Sequence, residues 1–119
     1  VNGETIQYED VTVLGNKSRS YAYCADTKYD EKIIPFVKDV DVIYHESTFL
    51  EELKSKASKT KHSTAIQAAK IAFSANAKML IIGHFSARYD SVEKFTKEAS
   101  TIFDNTIAAY DGFKYQIKI

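Results

Sequence analysis

The sequence predicts one α/β domain in which helices pack on a β-sheet. Strand-like and helix-like segments alternate along its 119 residues, and several short apolar runs end in a polar side chain. No stretch rich in Gly, Pro and Ser separates them, and no segment repeats. Alternation of this kind is typical of layered α/β folds. We therefore expect residues 1–119 to form a single domain with a mixed sheet.

The strands are indicated by short runs of β-branched and aromatic residues. One or two are expected in TIQYEDVTVL (5–14), and one each in SYAYCAD (20–26), VDVIYHES (40–47) and KMLIIGH (78–84). The segment TIAAYDGFKYQIKI (106–119) predicts a terminal hairpin that turns at Asp111 and Gly112.

The helices lie between these runs. YDEKIIPFVKD (29–39) predicts a short helix with Ile33, Ile34, Phe36 and Val37 toward one side and Pro35 near its first turn. FLEELKSKASKTK (49–61) predicts a frayed helix, and SVEKFTKEASTIFD (91–104) another. The clearest helical pattern is STAIQAAKIAFSANA (63–77), with Ser63 or Thr64 as N-cap. Ile66, Ala69, Phe73 and Ala77 recur there at helical spacing, and its alanines allow close approach to a sheet.

Composition excludes several classes of function. Sixteen basic and sixteen acidic residues cancel, so no net charge draws the chain to nucleic acid or membrane in general. No apolar run is long enough to span a bilayer. A single cysteine, Cys24, permits no intrachain disulfide and fits the cytoplasm. Cys24 lies within a predicted strand, where we expect a small buried side chain. The first ten residues resemble neither a signal peptide nor a protein start, which predicts a fragment.

Polar residues follow the predicted strands directly. Asp26, Glu46 and His84 each stand at a strand end, where α/β folds gather their functional groups. A turn or capping role for Asp26 and a packed structural role for His84 stay open. A carboxylate and an imidazole are also metal ligands, but zinc needs at least three from the protein. The residues alone thus indicate half of a metal site.

His62 stands just before the best-predicted helix. A solvent-facing histidine in a polar loop is one interpretation. The other uses the helix N-terminus, whose N–H groups attract anions and beside which an imidazole adds a proton donor. Such a ring needs a carboxylate to orient it and keep it protonated, and Glu46 is the candidate.

Four segments together resemble one family. YCADT, YHESTF, KHSTAIQAAKIA and LIIGHFSARY are similar, in order and spacing, to the carboxyl-terminal part of ribonuclease Z, a tRNA 3′-processing endonuclease of the metallo-β-lactamase fold. Glu46 and His62 are 16 residues apart, and His62 and His84 are 22 apart. Ser47 stands where the family has alanine in its HEAT segment, while the glutamate is kept. The resemblance covers roughly residues 20–90 and implies the carboxyl-terminal half of an αβ/βα sandwich.

The resemblance also implies roles. Asp26 is expected to bridge two zinc ions, and His84 to bind the second. His62 is expected to act as general acid or phosphate contact, oriented by Glu46 in a charge-relay arrangement. Ser86 and Arg88 are expected to face the phosphate or the 3′ end of the substrate. The implied reaction is metal-activated hydrolysis of a phosphodiester in precursor tRNA, with DNA not expected as a substrate.

The rest of the family pattern is missing. No HxHxDH motif, which supplies most of the family's metal ligands, and no tRNA-gripping arm occurs in this sequence. The chain alone is therefore expected to be inactive, and to pair with itself so that exposed apolar faces are covered.

Two other functions remain open. The first is a hydrolase of the same fold that acts on small phosphodiesters or sulfate esters. The second, from a different class, is a non-catalytic α/β module that acts through protein contacts. The Glu46–His62 pair separates the nuclease from the former, and metal binding separates it from the latter.

Overall fold

The computed structural model describes residues 11–14, 20–25, 27–109 and 113–116. Asp26 lies outside these ranges, as do Asp111, Gly112 and the first part of the amino-terminal strand prediction. The six strands are β1 (Val11–Leu14), β2 (Tyr21–Cys24), β3 (Val42–Glu46), β4 (Met79–Gly83), β5 (Thr106–Ala108) and β6 (Phe113–Gln116). The α-helices are α1 (Lys54–Lys59), α2 (Ala65–Ser74) and α3 (Glu93–Ser100). Two 3-10 helices span Glu31–Phe36 and Glu51–Leu53.

The central sheet has four strands in the order β2-β3-β4-β5. Its strand pairs are all parallel, as is the separate pair of β1 and β6, so the mixed sheet expected from the sequence is not found among the described strands. The reason lies in the connections, because a helix follows β2, β3 and β4 and returns the chain to the end where the strand began. The α/β class itself is confirmed.

The terminal hairpin prediction is wrong in its pairing. β5 pairs with β4 in the four-stranded sheet, whereas β6 pairs with β1 in the two-stranded sheet. Turn-forming residues between two strand-like runs favour a hairpin locally, but each strand here finds a parallel partner far away in the sequence.

The core lies between the sheet and its helices. Ile43, Leu80 and Ile82 project from β3 and β4 toward the small residues of α2, of which Ala65, Ala68, Ala69 and Ala72 are fully buried. Tyr44 and Ile81 project from the opposite face, where Tyr23 stacks on Tyr44. β3 is buried on both faces, as expected for a central parallel strand.

Two predicted apolar positions are solvent-exposed. Phe73 is 66% exposed because the buried side of α2 is its alanine stripe, which allows the close approach to the sheet. Phe36 is 88% exposed, since its segment is a 3-10 helix with three residues per turn rather than 3.6. Pro35 lies in the last turn of that helix, not the first. Within the described ranges, none of the helices combines the length and the apolar character needed to cross a bilayer.

Candidate active site

The register of the sheet brings the ends of β3 and β4 together. Glu46 lies opposite Gly83 in the parallel ladder, and the Ser47 N–H continues it by donating to the Gly83 carbonyl at 2.8 Å. His84 follows Gly83 directly. A carboxylate and an imidazole that are distant in sequence therefore meet at the carboxyl edge of the sheet, where such folds place their ligands.

The carboxylate of Glu46 is fully buried and accepts hydrogen bonds at both oxygens. Oε1 accepts the Thr27 N–H at 2.8 Å. Oε2 accepts the Ser63 N–H and the Thr48 hydroxyl, both at 2.9 Å. His62 Nδ1 lies 2.9 Å from Oε2 and 3.1 Å from Oε1. These donors compensate a charge that burial alone would make very costly.

His62 is held in position by the start of α2. Thr64 is the N-cap, and its hydroxyl accepts the Gln67 N–H while the Gln67 side chain accepts the Thr64 N–H, which forms a capping box. The His62 N–H donates to the Ala57 carbonyl at 2.8 Å. The contact of His62 with Glu46 expected from the sequence is present. Because Nδ1 faces Glu46, Nε2 is the nitrogen left for exchange with another molecule, on a side chain that is 25% exposed.

His84 itself makes the turn after β4. Its φ of 63° lies in the left-handed region, which costs a non-glycine residue about 1–2 kcal/mol. The preceding Gly83 is needed for space rather than for the turn. A Cβ on Gly83 would lie 2.5 Å from Tyr44 Oη and 2.9 Å from Tyr44 Cε2.

Thr48 joins Glu46 to His84, and the sequence interpretation gave it no role. Its hydroxyl donates to Glu46 Oε2, and the same oxygen lies 2.9 Å from His84 Nδ1. A hydroxyl has one proton, so the oxygen is the acceptor on the His84 side and Nδ1 carries the hydrogen. With the hydrogen on Nδ1, Nε2 is the His84 nitrogen that carries a lone pair, as in metal-binding histidines. In the sequence, the one indication of this role is that Thr48 stands two residues after Glu46.

The three side chains form a compact donor group. Glu46, His62 and His84 each offer a ligand atom, all within 4.8 Å of one another, and the two rings are 5.3 Å apart between centroids. Both Glu46 oxygens, however, already accept hydrogen bonds, and Nδ1 of His62 is used in donating to this carboxylate. The two imidazole rings are therefore the better candidate metal ligands of this group. Zinc requires further ligands, and Asp26 lies outside the described residues.

Ser86 and Arg88 lie in the loop after His84. The Ser86 N–H donates to the Thr48 carbonyl at 2.9 Å, and its hydroxyl accepts the Arg88 N–H at 3.3 Å. The Arg88 guanidinium lies over the Phe49 ring, 5.5 Å from its centroid. The Phe49 ring in turn meets the His62 ring at 6.4 Å in an edge arrangement. The exposed guanidinium of Arg88 and the ring of His62 therefore both contact Phe49.

Two further titratable side chains, those of His45 and Cys24, have structural rather than chemical roles. Burial lowers the pKa of His45, whose Nδ1–H donates to the Glu46 carbonyl at 2.9 Å. Burial raises the pKa of Cys24 to about 11 and disfavours the thiolate. Cys24 packs against the main core, as a small apolar side chain does.

Comparison with known proteins gives consistent relatives, although no family profile matches the chain. It is 54% identical over 101 residues to "Ribonuclease Z" of Cytophaga hutchinsonii, covering 85% of this chain and 32% of that protein. It is 43% identical over 116 residues to "Ribonuclease Z" of Porphyromonas gingivalis, covering 98% of this chain and 38% of the relative. The chain thus spans about a third of the length of these curated relatives.

Solved structures share the fold. The metallo-β-lactamase fold protein YhfI from Bacillus subtilis matches with a TM-score of 0.71 and 27% identity, over 86% of this chain and 38% of that protein. A long form RNase Z from yeast matches with a TM-score of 0.65 and 30% identity, over 75% and 12%. Human tRNase Z, short form, matches with a TM-score of 0.60 and 25% identity, over 92% and 34%. In sequence and fold, this chain is homologous to part of ribonuclease Z and has the architecture of the metallo-β-lactamase fold.

Proposed function

We propose that this chain is the carboxyl-terminal portion of a zinc-dependent endoribonuclease that removes the 3′ trailer from precursor tRNA. In this proposal residues 1–119 form one domain of the complete enzyme, which acts in the cytoplasm. The sequence identity to relatives named ribonuclease Z supports RNA as the substrate class.

One observation carries the proposal. The buried carboxylate of Glu46 holds Nδ1 of His62 at 2.9 Å and is itself fixed by two backbone N–H groups and the Thr48 hydroxyl. A carboxylate that orients an imidazole by one nitrogen is a recurring arrangement of catalytic acids and bases. A partly exposed histidine with a merely structural role does not need a buried, hydrogen-bonded carboxylate to orient its ring.

His62 is the proposed general acid. Its Nδ1–H donates to Glu46, whose negative charge compensates the positive charge of the ring while both nitrogens carry protons. Nε2 then gives its proton to the oxygen that leaves when the phosphodiester breaks. General acid catalysis of this kind contributes about 10²–10⁴-fold in rate.

His84 and Asp26 are the proposed metal ligands of this chain. The Thr48 contact favours the hydrogen of His84 on Nδ1 and hence metal binding through Nε2, whereas the role of Asp26 rests on the sequence resemblance alone. Two zinc ions bound at such a site supply charge stabilisation for the phosphate and a nucleophile at neutral pH. Since zinc needs at least three protein ligands, we expect the chain by itself to be inactive.

Ser86 and Arg88 are proposed to face the substrate. Arg88 is exposed and stacked on Phe49, so its donors remain open toward solvent beside His62. A guanidinium suits the oxygens of a phosphate or of a terminal ribose.

We also propose that the protein forms a homodimer. Phe36 and Phe73 are 88% and 66% exposed and lie on two helices that contact each other. Where exposed apolar side chains form a contiguous patch, the patch often marks a contact surface. Sedimentation of the chain and of a Phe36→Ser, Phe73→Ser variant tests this, and a stable monomer at high concentration contradicts it.

The decisive experiment uses the protein encoded by the whole gene. A precursor tRNA with a 3′ trailer should be cut once, and His62→Asn should remove the cleavage while zinc content stays unchanged. Lys97→Ala, on α3, serves as the matched control. Hydrolysis of a small phosphodiester such as bis(p-nitrophenyl) phosphate without cleavage of the precursor tRNA would favour the alternative hydrolase. Absence of bound metal would favour the non-catalytic module.

A further inference from the structure

A cleft of about 530 Å³ opens beside His62. Its size falls within the range of about 300–1,000 Å³ that ligand pockets occupy. The loop after β2 forms one side through Lys28, and α1 forms the other through Lys54, Ser55 and Ser58. The cleft therefore adjoins the candidate active site, with which it shares His62.

The polar groups of this cleft are suited to an anion. Among the residues that the structure describes, two lysines line it and no carboxylate does. Ser55 and Ser58 contribute hydroxyl groups. Gln67 also lines the cleft, and because its side-chain oxygen is used by the Thr64 N–H, its amide nitrogen is the group left to act, as a donor.

The nearest acids are already engaged. Glu51 lies 3.8 Å from Lys54 Nζ through one oxygen, and its other oxygen accepts the Thr64 hydroxyl at 2.7 Å. Tyr29 lines the cleft and its hydroxyl donates to Glu31 at 2.7 Å. The exposed pair of Lys54 and Glu51 is weak, as i,i+3 surface pairs are. An anion can therefore compete for the ammonium group of Lys54.

Glu46 fixes both the cleft and the candidate acid. The Thr27 N–H donates to Glu46, and Lys28 is the next residue along the chain. His62, which lines the cleft, contacts the same carboxylate. The chain next to Lys28 and the ring of His62 are thus held by one buried group, so a ligand held by Lys28 lies near His62.

We propose that this cleft binds the backbone phosphate of a single-stranded RNA nucleotide next to the bond that is cut. Lys28 and Lys54 contact the phosphate, and the serine hydroxyls and the Gln67 amide contact phosphate or ribose oxygens. The proposal rests on the proposed function in that its ligand is RNA. It adds a subsite that holds the strand beside His62.

A second cleft provides the control. It has about 520 Å³ and is lined by Lys94 and Lys97 together with Ser91 and Ser100, but also by Glu93. Lys94 pairs with Asp90 at 3.4 Å, and none of the described histidines lines this cleft. It matches the first cleft in size and lysine number, while its charge is partly cancelled.

The test measures binding of a 5′-fluorescein-labelled hexauridylate to the chain by fluorescence anisotropy, over a series of salt concentrations. Lys28→Ala with Lys54→Ala should weaken binding about tenfold or more. The slope of log K against log salt should fall by about 0.7 for each phosphate of the single strand that a lysine no longer neutralises. Lys94→Ala with Lys97→Ala should leave affinity and slope unchanged, and Lys28→Arg with Lys54→Arg should retain binding.

The inference is overturned if the unchanged chain does not bind the hexamer at low salt, or if both double variants weaken binding equally. The proposed function fails separately. If the whole-gene protein cuts precursor tRNA while Lys28→Ala with Lys54→Ala leaves hexamer binding unaltered, the function stands and the subsite does not. If the hexamer binds through these lysines and no precursor is cut, the subsite stands and the nuclease assignment does not.

Discussion

The Thr48 hydroxyl oxygen lies 2.9 Å from Nδ1 of His84, across 36 positions of sequence. Its proton goes to Glu46, the residue that also holds His62. One hydroxyl therefore links the proposed acid side of the site to the proposed metal side. It fixes which nitrogen of His84 carries hydrogen.

Replacement of Thr48 tests this link. Thr48→Val keeps the shape and removes the hydroxyl, so His84 Nδ1 loses this acceptor, while Glu46 keeps its two backbone donors and His62. We expect the ¹⁵N chemical shifts of the His84 ring to change from those of a single Nδ1–H tautomer toward those of a tautomer mixture. Thr48→Ser should restore the original shifts. Unchanged His84 shifts in the valine variant would contradict the assignment. In the whole-gene protein, zinc affinity should fall about 10–100-fold, as for other partners of metal-binding histidines.

Glu46 should be essential to both stability and chemistry. Glu46→Ala leaves the Thr27 and Ser63 N–H groups without their acceptor in a buried place, at about 1–3 kcal/mol each. Glu46→Gln preserves size but turns an amide NH₂ toward some of these donors. Urea unfolding should show a loss of about 3 kcal/mol or more for alanine. Cleavage of precursor tRNA by the whole-gene protein should fall about 10²-fold or more in both variants. Normal cleavage by a folded Glu46→Ala protein would remove Glu46 from the mechanism.

The sequence was sufficient to predict that Glu46, His62 and His84 lie close together. Glu46 and His84 each end an apolar run, and parallel strands bring such ends to one edge, so their proximity follows from pattern alone. The contact of Glu46 with His62 was also predicted, because a catalytic imidazole at a helix N-terminus needs a carboxylate to orient it. The contacts of Thr48 did not follow, since a hydroxyl that bridges two strand ends leaves no periodic signal.

Other features depended on packing rather than on local pattern. Phe36 and Phe73 have apolar side chains at helical spacing, yet the alanine face of α2 is the one that fits the sheet. The space that Gly83 leaves at the end of β4 is needed for the buried Tyr44 ring. The partner of β6 is β1 rather than β5, and a choice between distant strands is not encoded in a turn sequence. The role of Asp26 stays a prediction.

Gly83→Ala should destabilise the chain through its contact with Tyr44. A methyl group at this position would meet Tyr44 Oη at 2.5 Å, and the Tyr44 ring is fully buried and stacked on Tyr23. Overpacking of a core typically costs about 1–3 kcal/mol. Urea unfolding of Gly83→Ala, Tyr44→Phe and the double variant measures the coupling. We expect the destabilisation caused by alanine to be smaller in the Tyr44→Phe background, because the closest atom is gone. Equal destabilisation in both backgrounds would show that the strain arises elsewhere.

His45 should make the folded state sensitive to mild acid. Burial lowers its pKa in the folded chain, whereas in the unfolded chain an ordinary histidine has a pKa near 6.5. Above pH 6.5 the ring is neutral in both states, and His45 adds no pH dependence. As the pH falls below 6.5, His45 binds a proton in the unfolded state but not in the folded state, so the free energy of unfolding decreases. The slope from this residue approaches about 1.4 kcal/mol per pH unit.

Urea unfolding between pH 7.5 and 5.5 tests this in a His45→Asn variant, whose amide can still donate to the Glu46 carbonyl. The free energy of unfolding should decline less steeply with falling pH in this variant. Comparing slopes removes the constant destabilisation from the smaller side chain, and parallel pH profiles for the two proteins would contradict a neutral, buried His45.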